Sequence, residues 1–523
     1  MESRLSAAPP AAFGHREILV ILSGVMLGMI LAGLDQTIVA TALPTIAREL
    51  HGIQHMSWVV SGYLLTSTAA TPIYGKLSDL YGRKVMLQVA IGIFLVASTL
   101  CAIAGTMTEL ILARALQGIG GGGLMAMAHA TIADVIAPRD RGRYQGYFSS
   151  VFAATSVAGP VLGGFFSDHL TWRWVFWINI PIGVVAILIC NKTLRKLTVP
   201  RTARREIDYV GATLLVSAIT LLVLATTWGG VEMAWSSPNL IGLVVASLVL
   251  LAAFVLRERI AREPIIPLRL FRIGIFTVAS IGSFLSSMAM FGAIIFLPLF
   301  LQLVSGETAS QSGFLLIPLT GAIVAGAYAA GRIVSHTGRY KIFPILGLAI
   351  ATFAFVLLST MDARTGRIES GCFMALVGLG IGMVLPIMVV TIQNAVDLRD
   401  LGTGTAAVNF FRSMGGSFGV ALLGSVLLSE LDRRIARVPG HETMGDRPAF
   451  DLLHGDTSNI GKLGESARRL LVMALEQSFT VVFLTGAAIS AIALITVFFL
   501  KELPLRTAQP HGLPAPSASD DCA

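Results

Sequence analysis

The chain has 523 residues, of which 38 are basic and 30 acidic, 13% together, while 54% are apolar. A soluble chain carries about 25% charged residues, so several water-facing cores are excluded, and a mean hydropathy of +0.77 leaves a polytopic membrane protein as the class that fits. Aperiodic glycines, four cysteines and abundant Leu, Ile, Val and Phe exclude collagen, a disulfide scaffold and a disordered chain, and the net charge of +8 turns on where the basic residues sit.

Fourteen apolar runs of about 20 residues follow in chain order, at 18–42, 56–75, 86–104, 110–135, 144–164, 174–191, 208–227, 239–256, 275–301, 311–330, 342–360, 371–393, 404–429 and 477–500. Each is apolar on every face and twice as long as a barrel strand, which predicts helices. The first run is longer than the apolar core of a signal peptide, and Asp35 interrupts it before the small pair Ala40 and Ala42, so it reads as an uncleaved helix. With the N-terminus inside, 25 of the 38 basic residues fall in inner segments and 11 in outer ones, seven of these in 430–476. That asymmetry predicts cytoplasmic termini and accounts for the charge without a nucleic-acid partner. Cys101, Cys190 and Cys372 lie in or at the ends of spans and Cys522 in the tail, as small apolar filler.

The segment GKLSDLYGRK, Gly75 to Lys84, follows the second run, and GRIVSHTGRY, Gly331 to Tyr340, follows the tenth. Gly75, Gly82 and Arg83 recur as Gly331, Gly338 and Arg339 at a constant offset of 256 residues. A duplicated six-helix unit puts one such segment after the second helix of each copy, so spans 1–6 and 9–14 are the copies and spans 7–8 an insert. The expected divisions are an N-terminus 1–17, a first bundle 18–194, a linker with two extra helices 195–272, a second bundle 273–500 with an outer loop 430–476, and a tail 501–523. Within that loop, ESARRLLVMALEQ has helical apolar spacing at Leu470, Leu471, Met473, Ala474 and Leu475, which predicts an interfacial helix on the outer leaflet. Nothing in the loop supports docking of a periplasmic partner.

Six motifs in order now carry a resemblance: LDQTIVATALP from Leu34, GKLSDLYGRK, RALQGIGGG from Arg114, AGPVLGG from Ala158, WRWVFWINIPIG from Trp172 and NFFRSMGGSFGVALLG from Asn409. The chain resembles the major facilitator superfamily and, within it, the fourteen-span drug:proton antiporters. The resemblance implies an all-α polytopic fold of two six-helix bundles plus two inserted helices. It further implies proton-coupled export of small amphipathic drugs or metabolites from a bacterial cytoplasmic membrane, with no cofactor. An importer or exporter of one metabolite or vitamin on the same frame is the alternative. Leu80, Thr155 and Ser335 depart from the family pattern, and the absence of carboxylates in spans 10 and 13 argues against polycationic substrates.

Asp35 is the one carboxylate well inside a span, roughly 25 Å along its helix from Ile18, and an intramembrane carboxylate is functional by default. Burial disfavours its charged form and a nearby cation restores it, so Asp35 can change charge as the protein opens; the alternative is half of a static ion pair. Arg114 matches Asp35 in depth and is its expected partner, or else snorkels to the headgroups. The family assigns this arginine to proton exchange. Gly75, Asp79, Gly82 and Arg83 are expected to form a conformational gate in which the glycines permit a tight turn; the alternative is a basic topology loop, which accounts for Arg83 and Lys84 but not for the two glycines or Asp79. Asp79 receives N–H groups at a helix N-terminus or pairs with an arginine such as Arg143. Gly159, Pro160, Gly163 and Gly164 form a small-residue face with a helix break, which the family treats as the antiporter motif. Gly118 and Gly120 to Gly123 serve packing, a kink or a cavity. Asn409, Arg412, Gln302 and His129, with Gln393, Met288 and Met290, are candidates for cavity lining, His129 alternatively being a satisfied core histidine and Arg412 attracting an anionic or zwitterionic substrate or else snorkelling or capping a helix. No HExxH, GxSxG on a strand, Cys/His cluster or phosphate-binding loop is present, so neither an enzyme nor a metal site is expected.

Overall fold

With no water inside a bilayer to satisfy backbone N–H and C=O groups, an apolar run closes its hydrogen bonds within itself. The fourteen runs are helical in the computed structural model, the sixth and the tenth each divided between two consecutive helices. It describes residues 15–51, 56–136, 138–194, 208–229, 233, 236–261, 264–307, 309–397, 400–436 and 465–505. The N-terminus, 195–207 of the linker, much of the outer loop and the end of the tail lie outside these, as do the side chains of Arg143 and Pro160.

The first half comprises α1 (His15–Glu49), α2 (Met56–Tyr81), α3 (Arg83–Ile103), α4 (Met107–Val135), α5 (Pro138–His169), α6 (Trp174–Trp177) and α7 (Asn179–Thr193). The inserted pair is α8 (Tyr209–Trp228) and α9 (Pro238–Ile260). The second half comprises α10 (Gly274–Leu303), α11 (Ala309–Leu315), α12 (Ile317–Thr337), α13 (Ile342–Leu358), α14 (Arg367–Ala395), α15 (Leu401–Ile435) and α16 (Glu465–Phe498). Twelve spans among the described residues are long and apolar enough to cross a membrane. The other two runs lie on α2, 26 residues rich in Ser, Thr and Gly, and on α13, which has 17 residues. The chain is thus a multi-pass membrane protein.

Local chemistry sets the helix starts. Thr106 accepts the Glu109 N–H while Glu109 accepts the Thr106 N–H, a reciprocal cap that begins α4. Asp208 and Ser237 cap α8 and α9 in the same sense. Gly82, at φ 89°, is the whole turn between α2 and α3, and Gly338, at φ 72°, opens the corresponding turn after α12. Only glycine adopts that backbone without strain, which is why the repeat keeps these two positions.

Two features differ from the sequence reading. Gly75 lies inside α2 rather than in a turn, because the polar segment after it remains helical to Tyr81. The stretch expected to be an interfacial helix is instead the start of α16: Leu471, Ala474 and Leu475 are buried in the core of the second half with Leu431 and Ile435. Helical apolar spacing fits an interfacial helix and a span extension equally well, and burial decides for the extension. The outer loop therefore shortens at both ends, since α15 continues to Ile435.

Within the first half α1 packs on α4, α5 and α7, and α4 on α2 and α3; in the second, α10 packs on α14, α15 and α16. The halves meet along two edges, α2 against α15 and α5 against α12, the second and fifth spans of each copy exchanging places. The inserted pair lies on the first edge, where α8 touches both α2 and α15. Leu65 and Ala69 of α2, Leu215, Ile219 and Val223 of α8, Phe254 of α9 and Phe410 of α15 share one core.

Candidate functional site: a sealed ion pair and a gate

Asp35 of α1 is fully buried and carries three donors. Arg114 Nη1 of α4 lies 2.5 Å from Oδ2, while Gln117 Nε2 and Asn179 Nδ2 donate to Oδ1 at 2.8 and 3.1 Å. Both amides also donate to Ser98 Oγ of α3, at 2.7 and 3.2 Å. Arg114, 1% exposed, donates further to Gln117 Oε1 at 2.7 Å and to the Val59 carbonyl at 3.3 Å, and its guanidinium lies 4.3 Å from the centre of the Tyr63 ring. The snorkelling alternative is thereby excluded. Five helices of the first half hold this network, and a buried pair is tolerated only when its remaining donors and acceptors are matched in this way. Asn179 Oδ1 has no partner.

The second cluster joins the two halves. Asp79 Oδ2 accepts the backbone N–H and the hydroxyl of Thr403, both at 2.9 Å. Thr403 lies in the first turn of α15, where backbone N–H groups lack intrahelical partners, so Asp79 caps a helix of the opposite half. The helix N-terminus expected for Asp79 is present, while the side chain of Arg143, the alternative partner, lies outside the described residues. Arg83 Nη2 lies 2.7 Å from Asp79 Oδ1, its Nε lies 2.7 Å from Asp134 Oδ2 on α4, and Nη1 donates to Ser78 Oγ. A Cβ on Gly75 would overlap Ala406 and crowd the Gly402 carbonyl, and one on Gly402 would overlap Asp79 and Arg83. The glycines thus serve close approach of α2 to α15. In the second copy Ser335 replaces the carboxylate and Arg339 is exposed.

Gly159 and Gly163 of α5 bring it against Thr37, Ile38 and Thr41 of α1, whereas Gly164 faces open space. Thr37 Oγ1 donates to the Thr155 carbonyl at 2.9 Å. Gly118, Gly121 and Gly122 face α2, Gly120 faces α3, and Gly123 faces both, which is the packing role. His129 is buried, its Nδ1 3.1 Å from the Met125 carbonyl and its ring edge-on to Phe148 at 5.6 Å. Asn409 is buried and Arg412 half-buried on α15. Gln302 does not join them: it is exposed and bonds Ser312 at 2.9 Å. Met288 and Met290 pack in the core of the second half.

Sequence reasoning missed Ser98, Gln117, Asn179, Asp134 and Thr403. Gln117 stands three residues after Arg114 and thus on the same helix face, a signal available in the motif itself. Replacing Gln117 with Leu, similar in size, removes two donations and one acceptor. The variant is expected to lose about 1–3 kcal/mol of stability while staying folded, read as a lower melting temperature in detergent; an unchanged melt would show that the network is not held by this amide.

The family model described as Major Facilitator Superfamily matches residues 25–420. An uncharacterized MFS-type transporter of Mycobacterium tuberculosis (strain ATCC 25618 / H37Rv) is 38% identical over 488 residues, 93% of this chain and 70% of that protein. The multidrug transporter protein MdtP of Bacillus subtilis (strain 168) is 38% identical over 408 residues, 78% of this chain and 75% of its own length. Among solved structures, the crystal structure of the human organic anion transporter MFSD10 (TETRAN) superposes with a TM-score of 0.63 at 15% identity, covering 92% of this chain and 99% of that one. At that identity the likeness concerns the fold.

Proposed function

The chain belongs to the major facilitator superfamily, and from that premise we propose that it is a proton-coupled antiporter exporting small amphipathic drugs or metabolites by alternating access. The observation that carries the reading is the sealed carboxylate of Asp35, matched by three donors and paired with Arg114. The multidrug transporter among its relatives supports the substrate class.

The gate is closed, so Asp35 meets water when the opposite end opens. A proton taken up there neutralises the carboxylate. Arg114 keeps Gln117, the Val59 carbonyl and the Tyr63 face, so the charge change frees α1 from α4 without stranding the cation. Parting of Asp79 from Thr403 then exposes the site to the other side, where the proton leaves and substrate enters. The rearrangement is a population shift between two states, each favoured by one ligand. We place the protein in a bacterial cytoplasmic membrane with both termini inside, the orientation that puts 25 of 38 basic residues on the cytoplasmic side.

In inverted vesicles, an ionophore that collapses the proton gradient while ATP is maintained is expected to abolish uphill accumulation of a transported dye. Accumulation that continues under those conditions would remove the proton as the driving ion.

A further inference from the structure

Where α4, α14 and α15 meet, a second polar group lies outside the Asp35 network. Gln393 of α14 donates to the His129 carbonyl of α4 and to Thr405 Oγ1 of α15, each at 3.2 Å, so it spans the two halves. Asn409 Nδ2 donates to the Thr405 carbonyl at 3.0 Å. A carbonyl only accepts, which fixes both amide orientations. Gln393 Oε1 and Asn409 Oδ1 are thus left as acceptors, and neither has a partner although the two residues are 1% and 2% exposed.

Thr405, Asn409 and Arg412 follow at spacings of four and three and share a face of α15. Among the described residues Arg412 makes no hydrogen bond or ion pair, and it lies within electrostatic range of the His129 ring. The three helices that meet here offer Arg412 no free carboxylate among the described residues: α15 has none before Glu430, α14 none after Glu369, and Asp134 of α4 is engaged with Arg83. Arg412 is half-buried, and holding a cation partly out of water without a counter-charge is costly, as are two orphaned acceptors. A ligand that brings an anion to Arg412 and donors to Asn409 and Gln393 satisfies all three at once.

We propose that Arg412, Asn409 and Gln393 form a substrate-recognition site for amphipathic compounds bearing an anionic group and, close to it, an amine, amide or hydroxyl donor. The proposal rests on the exporter reading above, deepening it to a substrate class. It sets the preference toward zwitterions over simple cations, since a cation meets repulsion at Arg412.

The test uses the full chain with two probes that differ by one carboxylate: Nε-dansyl-lysine, a zwitterion, and dansylcadaverine, its decarboxylated cation. In detergent, dansyl-lysine is expected to bind at least about tenfold more tightly than dansylcadaverine. Arg412→Gln should erase the difference, Arg412→Lys should retain most of it, and Asn409→Leu should weaken dansyl-lysine alone. No preference in the unaltered protein, or an equal preference in folded Arg412→Gln, overturns the site. In nanodiscs, displacement of dansyl-lysine by phosphatidylglycerol but not by free glycerol phosphate would assign the counter-anion to a lipid headgroup and overturn a substrate role. Export of dansylcadaverine driven by an imposed pH gradient reports separately on the exporter reading. Export without a carboxylate preference sinks the site alone; a preference in binding without pH-driven movement of either probe sinks the exporter and leaves the site.

Discussion

Asp35→Asn is expected to abolish coupled export while leaving the fold intact. Asn has nearly the same shape and is neutral at every pH, so it imitates the protonated carboxylate permanently. Stripped of its counter-charge, Arg114 still holds Gln117 Oε1, the Val59 carbonyl and the Tyr63 ring, so the stability loss should stay at or below the roughly 3–5 kcal/mol of a broken buried pair. Uphill transport should fall to background, with downhill equilibration of substrate retained. Proton release per substrate bound in detergent decides the point, since equal stoichiometry in both proteins would take Asp35 out of the proton path. Adding Arg114→Gln discriminates the purely structural alternative. If the pair were only a brace, the double variant would recover both melting temperature and export; a proton carrier recovers the first and not the second.

The second large effect is expected at the gate. Asp79→Asn keeps the shape but loses the charge that binds the Thr403 N–H and hydroxyl. Hydrogen bonds to a charged group contribute about 1.5–3 kcal/mol, so the equilibrium should move roughly tenfold to a hundredfold toward opening at the α2–α15 edge. Gly75→Leu should act in the same direction by steric means, since any side chain there meets Ala406 and the Gly402 carbonyl. Amide hydrogen exchange over 401–406 is the readout: both variants should exchange faster there while α3 and α13 stay unchanged. Exchange at the original rate in both would show that this contact does not hold the edge shut.

The architecture was legible because apolar length survives any packing arrangement: α9, with its charged residues Arg257, Glu258 and Arg259 confined to its end, could be nothing else in this chain. The pairing of Asp35 with Arg114 was legible from depth, since rise per residue fixes how far along a helix a charge sits. The partners that complete the network were not. Asn179 and Ser98 are ordinary polar residues until helix rotation turns them toward one carboxylate, and rotation is set by tertiary contacts. Thr403 escaped because a helix N-terminus offers its donors to whatever arrives, and only the assembled halves reveal that Asp79 does. Gly75 was credited with a turn that Gly82 alone makes, since a glycine that admits a neighbour looks the same in sequence as one that bends the chain. Gln302 directly follows an apolar run and Gln393 ends one, yet of the two Gln393 is the one that spans the halves.

The two edges where the halves meet are unequal. Along α2 and α15 a carboxylate, a guanidinium and a helix terminus interlock, whereas the corresponding turn after α12 has Ser335 and an exposed Arg339 in their places. On the proposed alternating-access reading, opening at this end resembles a door more than a clamshell, with a charged latch along α2 and α15 and the packed edge of α5 and α12 as its hinge. The inserted helices sit on the latch side, with α8 resting on both α2 and α15, so on that reading the door cannot part without α8 giving up one of its two neighbours.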